Sequence, residues 1–147
     1  MLSALIVGMA LQIPNFEVWE IACPEGSVAG QGACTVRYTA IAGDDPQDYR
    51  QMYSVTITPG DDPMVIVSAT ISNEHARAWL MVDRNPLLET RRCMQVMCFY
   101  NNDELPGLLE QMRTGSALGV RVMDTNDAWV LEQFFSLDGF SEAYDQR

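Results

Sequence analysis

The stretch "ETRRCMQVMCFY", residues 89–100, sets Cys93 and Cys98 five positions apart around a mostly apolar turn. Five residues of α-helix rotate by about 500°, which leaves the two side chains roughly 140° apart on the helix. A strand separates them too, because side chains alternate and an odd spacing points to opposite faces. A hairpin with a four-residue loop instead places residues i and i+5 across the ladder, at a separation that a disulfide can bridge. The stretch therefore reads as two strands folded back on a cross-linkable turn.

Cys23 and Cys34, the other two cysteines, bracket the glycine-bearing turn "PEGSVAGQG" between two strand-like runs. "FEVWEIAC" alternates imperfectly. "ACTVRYTAIA" carries Cys34, Val36, Tyr38 and Ala40 on one face and Thr35, Arg37 and Thr39 on the other, the period-two pattern of a half-buried strand. Local pairing, Cys23 with Cys34 and Cys93 with Cys98, is the simplest of three connectivities. Loops of this size stabilise by about 2 to 3 kcal/mol each. A zinc site would need tight C-x2-C or C-x4-C knuckles in pairs, or histidines, and the C-x10-C spacing is too open. Redox catalysis would need C-x-x-C at a helix N-terminus. The four cysteines are thus expected to be structural staples.

Outward from these pairs, "MYSVTITP", "MVIVSATIS", "ARAWLMVD", "LLETRRC", "CFYN", "SALGVRVMD" and "AWVLEQFFSL" read as further strands, divided by turns such as "GDDP", "RNP" and "TND". One helix interrupts them, around residues 103–114: Asp103 caps it, Pro106 falls in its first turn, Leu105, Leu108, Leu109 and Met112 share a face, and Gly115 stands at the C-cap. "GFSEAYDQR" closes the chain with a short helical turn. About seven to nine short strands with a single helix predict an all-β fold, an antiparallel β-sandwich. Residues 14–147 form one domain in this reading. Residues 1–13 form either a segment resembling a secretory signal or an N-terminal strand, too short for a spanning helix of roughly 20 residues.

The 147-residue chain carries twenty acidic and nine basic residues, all of the latter Arg, for a formal net charge of -11. Such a surface repels phosphate backbones and anionic headgroups and offers no basic stripe, so nucleic acid is not the expected partner. No catalytic constellation stands out. His75 is the lone histidine and is expected to be a solvated loop residue, and no G-x-S-x-G elbow accompanies it. Asp124, Asn126 and Asp127, with Asp44, Asp45, Asp61 and Asp62 of the two "GDDP" turns, could ligate calcium, but Asp and Asn favour turns on their own account. Trp19, Trp79 and Trp129 are expected to face the core, an exposed aromatic face being the alternative. Cofactors and metals are not expected.

The ordered set F-x-x-W-x-x-x-C at Phe16, Trp19 and Cys23, then Cys34, "LMVDRNP", C-x4-C at Cys93 and Cys98, "ELPGLLEQMRTGSALGVRV" and "SLDGFSEAY" resembles the invasion-associated locus B family of exported proteins from Gram-negative bacteria. The loop "MQVM" stands where that family's pattern would place a glycine-containing turn. The resemblance implies a disulfide-bonded protein of the periplasm, outer membrane or extracellular space, linked in pathogens to host-cell entry and without an established enzyme activity. The expected function is accordingly non-catalytic, an interaction with a protein or cell-envelope component. The rival is a small ligand- or calcium-binding protein or a carboxylate hydrolase, which would need a deep cleft with paired acids beside an aromatic. Met94, Val96 and Met97 are unusually apolar for a turn tip and form the expected contact loop.

Overall fold

The computed structural model describes residues 17–41, 52–70, 74–101 and 107–147. The N-terminal segment 1–13, the first "GDDP" turn with Asp44 and Asp45, and the expected helix start at Asp103, Leu105 and Pro106 lie outside them. Among the described residues ten strands run in order: β1 (Trp19–Ala22), β2 (Thr35–Ile41), β3 (Met52–Ile57), β4 (Val65–Ala69), β5 (His75–Val82), β6 (Leu88–Thr90), β7 (Cys93–Met94), β8 (Met97–Tyr100), β9 (Ala117–Asp124) and β10 (Trp129–Ser136). Helix α1 (Leu108–Thr114) precedes β9, and α2 (Phe140–Asp145) follows β10. The strands form two antiparallel sheets, ordered β1-β2-β3-β4-β8-β7 and β10-β9-β5-β6. The expected sandwich of antiparallel strands is the observed architecture.

Period-two patterning does most of the local work. In β3 the inward Tyr53, Val55 and Ile57 are buried while Met52, Ser54 and Thr56 face out, and β4 buries Val65, Val67 and Ala69 in the same rhythm. Sheet two answers with Ala78, Leu80 and Val82 of β5 and Leu118, Val120 and Val122 of β9, all essentially inaccessible. Burial of a Val or Leu side chain is worth about 1.5–3 kcal/mol, so this shared interior is what holds the two layers together. Tyr100 fastens them further. It rises from β8 of sheet one, is fully buried, and its hydroxyl lies 2.8 Å from Ala78 O and 2.9 Å from Leu88 O, both in sheet two. Its one proton is shared between two carbonyls.

Between the sheets at their other end, Trp19, Tyr38, Phe135 and Phe140 form an aromatic cluster, with Trp19 and Phe140 edge-to-face at 4.9 Å and Tyr38 and Phe135 at 4.7 Å. Such pairs add to their area burial. Trp19 Nε1 also donates to Ser136 O at 2.8 Å, which ties β1 to the end of β10. Burial pushes the Tyr38 and Tyr53 phenols above their ordinary value, and the charge of Glu17 adds to it.

Both cysteine pairs are bonded. Cys23 and Cys34 extend the β1–β2 ladder, whose pairs run from Trp19↔Tyr38 to Ala22↔Thr35, with Cα atoms 4.1 Å apart. Cys93 and Cys98 face each other across β7 and β8, 4.0 Å apart. Met94 pairs with Met97 as well, so the loop itself is only Gln95 and Val96. Gln95 takes a positive φ of 55°, a conformation that tight hairpins demand and that glycine adopts most readily.

Several expectations change. The run "LLETRRC" is not one strand: β6 belongs to sheet two and β7 to sheet one, and the chain crosses between layers at Arg91 and Arg92. Thr90, buried, marks the crossing by donating its hydroxyl to Phe99 O in β8 at 2.8 Å. The described helix starts at Leu108, with Gly107 as N-cap and no side-chain cap. Gly115 is extended rather than left-handed at the helix end. It is glycine because a Cβ there would lie 2.5 Å from Val82 Cγ1 and 2.8 Å from Gln111 O. The closing segment is a short helix, α2. His75 is not a solvated loop residue: it opens β5, in register with Asp124, and is 2% exposed.

Candidate interaction face

Alternation sends one set of sheet-two side chains away from the core, and that set is unusually apolar. Arg77, Trp79 and Met81 of β5 point outward beside Arg121 and Met123 of β9 and Trp129, Glu132 and Phe134 of β10, as the pairs Trp79↔Arg121, Trp129↔Met123, Glu132↔Arg121 and Phe134↔Gly119 require. Leu87, just ahead of β6, borders them. Trp129 is 46%, Leu87 51% and Phe134 71% exposed, so this face puts large apolar surface into water. Contiguous apolar exposure of this kind marks interaction sites more often than single scattered side chains do.

The face is ordered by ring contacts. Trp79 and Trp129 meet diagonally across β9 with centroids 5.4 Å apart. Arg77 stacks over Trp79 at 5.1 Å and Arg121 over Trp129 at 5.4 Å. Guanidinium groups laid on indole faces are attracted by the ring quadrupole, which pre-sets both the rings and the charges. Arg121 also meets Glu132 at 3.4 Å, and Arg77 meets Asp127 at 3.9 Å. Within a chain of net charge -11 this face is locally near neutral.

Gly119 forms the floor. A Cβ at this position would lie 2.9 Å from the Phe134 ring, so the missing side chain is what lets Phe134 lie back across β9. The result is a cleft of about 390 Å³ lined by Trp79, Met81, Leu87, Arg121 and Phe134 among others. Glu132 is the one carboxylate in its lining, and it is paired with Arg121. The paired acids that a carboxylate hydrolase would need are not brought together at this cleft.

The other candidate residues fall elsewhere. Met94 of the disulfide hairpin is 58% exposed, while Val96 and Met97 are half-buried and Ala69 N donates to Val96 O at 3.1 Å. In the turn that follows β9, Asp124 Oδ1 accepts from Asn126 N at 2.8 Å and from Ala128 N at 3.0 Å. This carboxylate shapes the turn. Among the described residues, no three His, Cys, Asp or Glu side chains gather as a metal site.

The expectation that all three tryptophans face the core holds for Trp19, 8% exposed, and fails for Trp79 and Trp129. Their placement was hidden because "ARAWLMV" is apolar on both faces, and "FF" at 134 and 135 supplies one ring to each side. The signal that could have found the face is the apolar parity itself. A strand with large apolar side chains at both parities has a second face to cover, and β5 and β10 share that property.

Among the described residues no helix is long and apolar enough to cross a membrane, which says nothing of spanning by strands. Two disulfides suit an oxidising compartment. No curated protein and no solved structure matches the chain. Residues 19–147, from the first strand through the closing helix, match the family model described as invasion associated locus B (IalB) protein, and the chain belongs to that family.

Proposed function

We propose that the chain is an exported, non-catalytic binding domain that engages a protein or cell-envelope component through the outer face of sheet two. The observation that carries this reading is the exposed apolar surface of Trp129, Phe134 and Leu87, the last two lining the cleft over Gly119 and Trp129 held under the Arg121 guanidinium. Aromatic residues and Arg are the side chains that dominate binding energy at interfaces, and here they are pre-organised. Family membership and the two disulfides support export to the periplasm, the outer membrane or beyond. Met94, exposed on the disulfide hairpin at the edge of sheet one, is a separate and lesser apolar contact point in this reading.

The test is site-specific photo-crosslinking in the bacterium that makes the protein. A crosslinking residue in place of Phe134 is expected to give a discrete adduct in the cell envelope. The same residue in place of Thr56, on the outer face of sheet one, is expected to give none. Equal adducts from both positions, or none from either, would overturn the reading, and recovery of the protein in the cytoplasm would overturn export.

A further inference from the structure

The sheet edges are unequal. Strands β1, β6 and β7 are four, three and two residues long, lengths that protect an edge, whereas β10 has eight residues and no strand beyond it among the described residues. Its backbone directions follow from the register. Leu137 N donates to Ser116 O at 2.9 Å, so 137 and, in steps of two, 135, 133 and 131 turn their N–H and C=O groups toward β9. Ser136, Phe134 and Glu132 turn theirs away, toward the open edge. The Ser136 carbonyl is taken by Trp19 Nε1, and a bulge interrupts the ladder between Trp129 and Leu131. The pairable window is centred on Glu132 and Phe134.

Those same two residues send their side chains onto the aromatic face. Across sheet two one row reads Glu89, Trp79, Arg121, Glu132, and its neighbour reads Met81, Gly119, Phe134. The first row sets Arg121 beside Glu132 and ends at the edge on that acid; the second ends on a ring that is 71% exposed. The next place in the first row suits a cation, and the next in the second suits an apolar side chain. β10 carries no Lys, Pro or inward charge to blunt it, Glu132 being its one charged residue.

Resting on the interaction reading above, we infer that the partner adds an extended strand to the β10 edge, with a basic residue opposite Glu132 and an apolar residue two positions away opposite Phe134. Main-chain bonds to the outward groups of Glu132 and Phe134 supply the attachment, and the two side chains supply the selection. The net charge of -11 steers a basic segment toward the chain and opposes pairing of two copies of it.

The probe is the peptide acetyl-Ser-Thr-Val-Thr-Arg-Thr-Val-Thr-Ser-amide, whose Arg and flanking Val share one face in either strand direction. Titrated into the isotope-labelled full chain, it is expected to shift the amides of Glu132 and Phe134 and slow their hydrogen exchange, while Leu131, Gln133 and Phe135 change little in exchange. Glu replacing Arg in the peptide weakens binding roughly fivefold, and E132R reverses that preference. E132Q, which keeps the shape and removes the charge, loses the preference without reversing it. Unchanged amides at millimolar peptide, shifts confined to another edge, or a preference that E132R leaves intact would each overturn the inference. Concentration-dependent protection of the same amides in the chain alone would overturn it in favour of self-pairing. If the peptide fails while crosslinks form from position 134, only strand addition falls. If the peptide binds and the crosslinks fail, the inference stands and the cellular reading falls.

Discussion

Replacing Cys93 and Cys98 together with alanine opens a loop of six residues, and replacing Cys23 and Cys34 opens one of twelve, from sequence separations of 5 and 11. On the chain-entropy relation these loops are worth about 2.2 and about 2.8 kcal/mol at 25 °C. Each pair also has one fully buried sulfur, Cys98 and Cys34, whose removal leaves a void costing on the order of 1 kcal/mol. The expected losses are therefore about 3 and about 4 kcal/mol. Domains of this size have roughly 5–15 kcal/mol in hand, and the interior between the sheets does not depend on either staple. Each variant should stay folded at 25 °C. The bonds lie at opposite edges of sheet one, so their effects should add, and a chain lacking both should lose about 7 kcal/mol and approach its unfolding threshold. Urea unfolding followed by far-ultraviolet circular dichroism measures all three. A Cys93/Cys98 variant that loses more than the Cys23/Cys34 variant would refute the loop-length account. Unfolding of either in the absence of denaturant would refute the claim that the packed sheets suffice.

Tyr100→Phe keeps the buried ring and removes the hydroxyl that two sheet-two carbonyls share; it should cost about 1–3 kcal/mol, read in the same urea experiment. Gln95→Gly relieves the positive φ at the hairpin tip and should stabilise by about 0.5–1 kcal/mol after the added freedom of the unfolded chain is counted, visible as a higher urea midpoint at unchanged slope. The raised Tyr38 and Tyr53 phenols mean that the unfolded chain loses these protons first as pH rises, so their contribution is complete below about pH 10 and is lost as pH climbs through the folded values. Tyr38→Phe with Tyr53→Phe should move the alkaline unfolding midpoint upward, as followed by circular dichroism and tyrosinate absorbance.

Much of the architecture was legible because it is local. Alternation in β2 marks a half-buried strand, the apolar run of β4 marks a more deeply buried one, and the i, i+5 cysteine spacing admits a hairpin and excludes either regular element. The layer change between Thr90 and Cys93 was not legible, since nothing in "LLETRRC" breaks the run. It is the Thr90 hydroxyl on Phe99 O, made only when the two sheets are stacked, that marks where one sheet ends and the other begins. His75 was misplaced for a related reason: its place is set by its register with Asp124 of β9 and by its backbone N–H, which donates to Gln95 O at 2.7 Å, and neither partner is near it in sequence.

The outer face of sheet two shows the division most plainly. From residue order alone come the strands, their turns, the two cross-linked hairpins and the acidic surface, because each depends on side-chain period, turn chemistry or composition within a short stretch. Which face of β5 lies inside does not follow from that stretch, for Ala78, Leu80 and Val82 compete with Trp79 and Met81 on nearly equal apolar terms. Packing decides it. Tyr100 crosses from the opposite sheet to reach Ala78 O, and the close-packed interior that takes its ring also takes Ala78, Leu80 and Val82, all inaccessible. Trp79 is left on the outside, where Trp129, Phe134 and the stacked arginines join it.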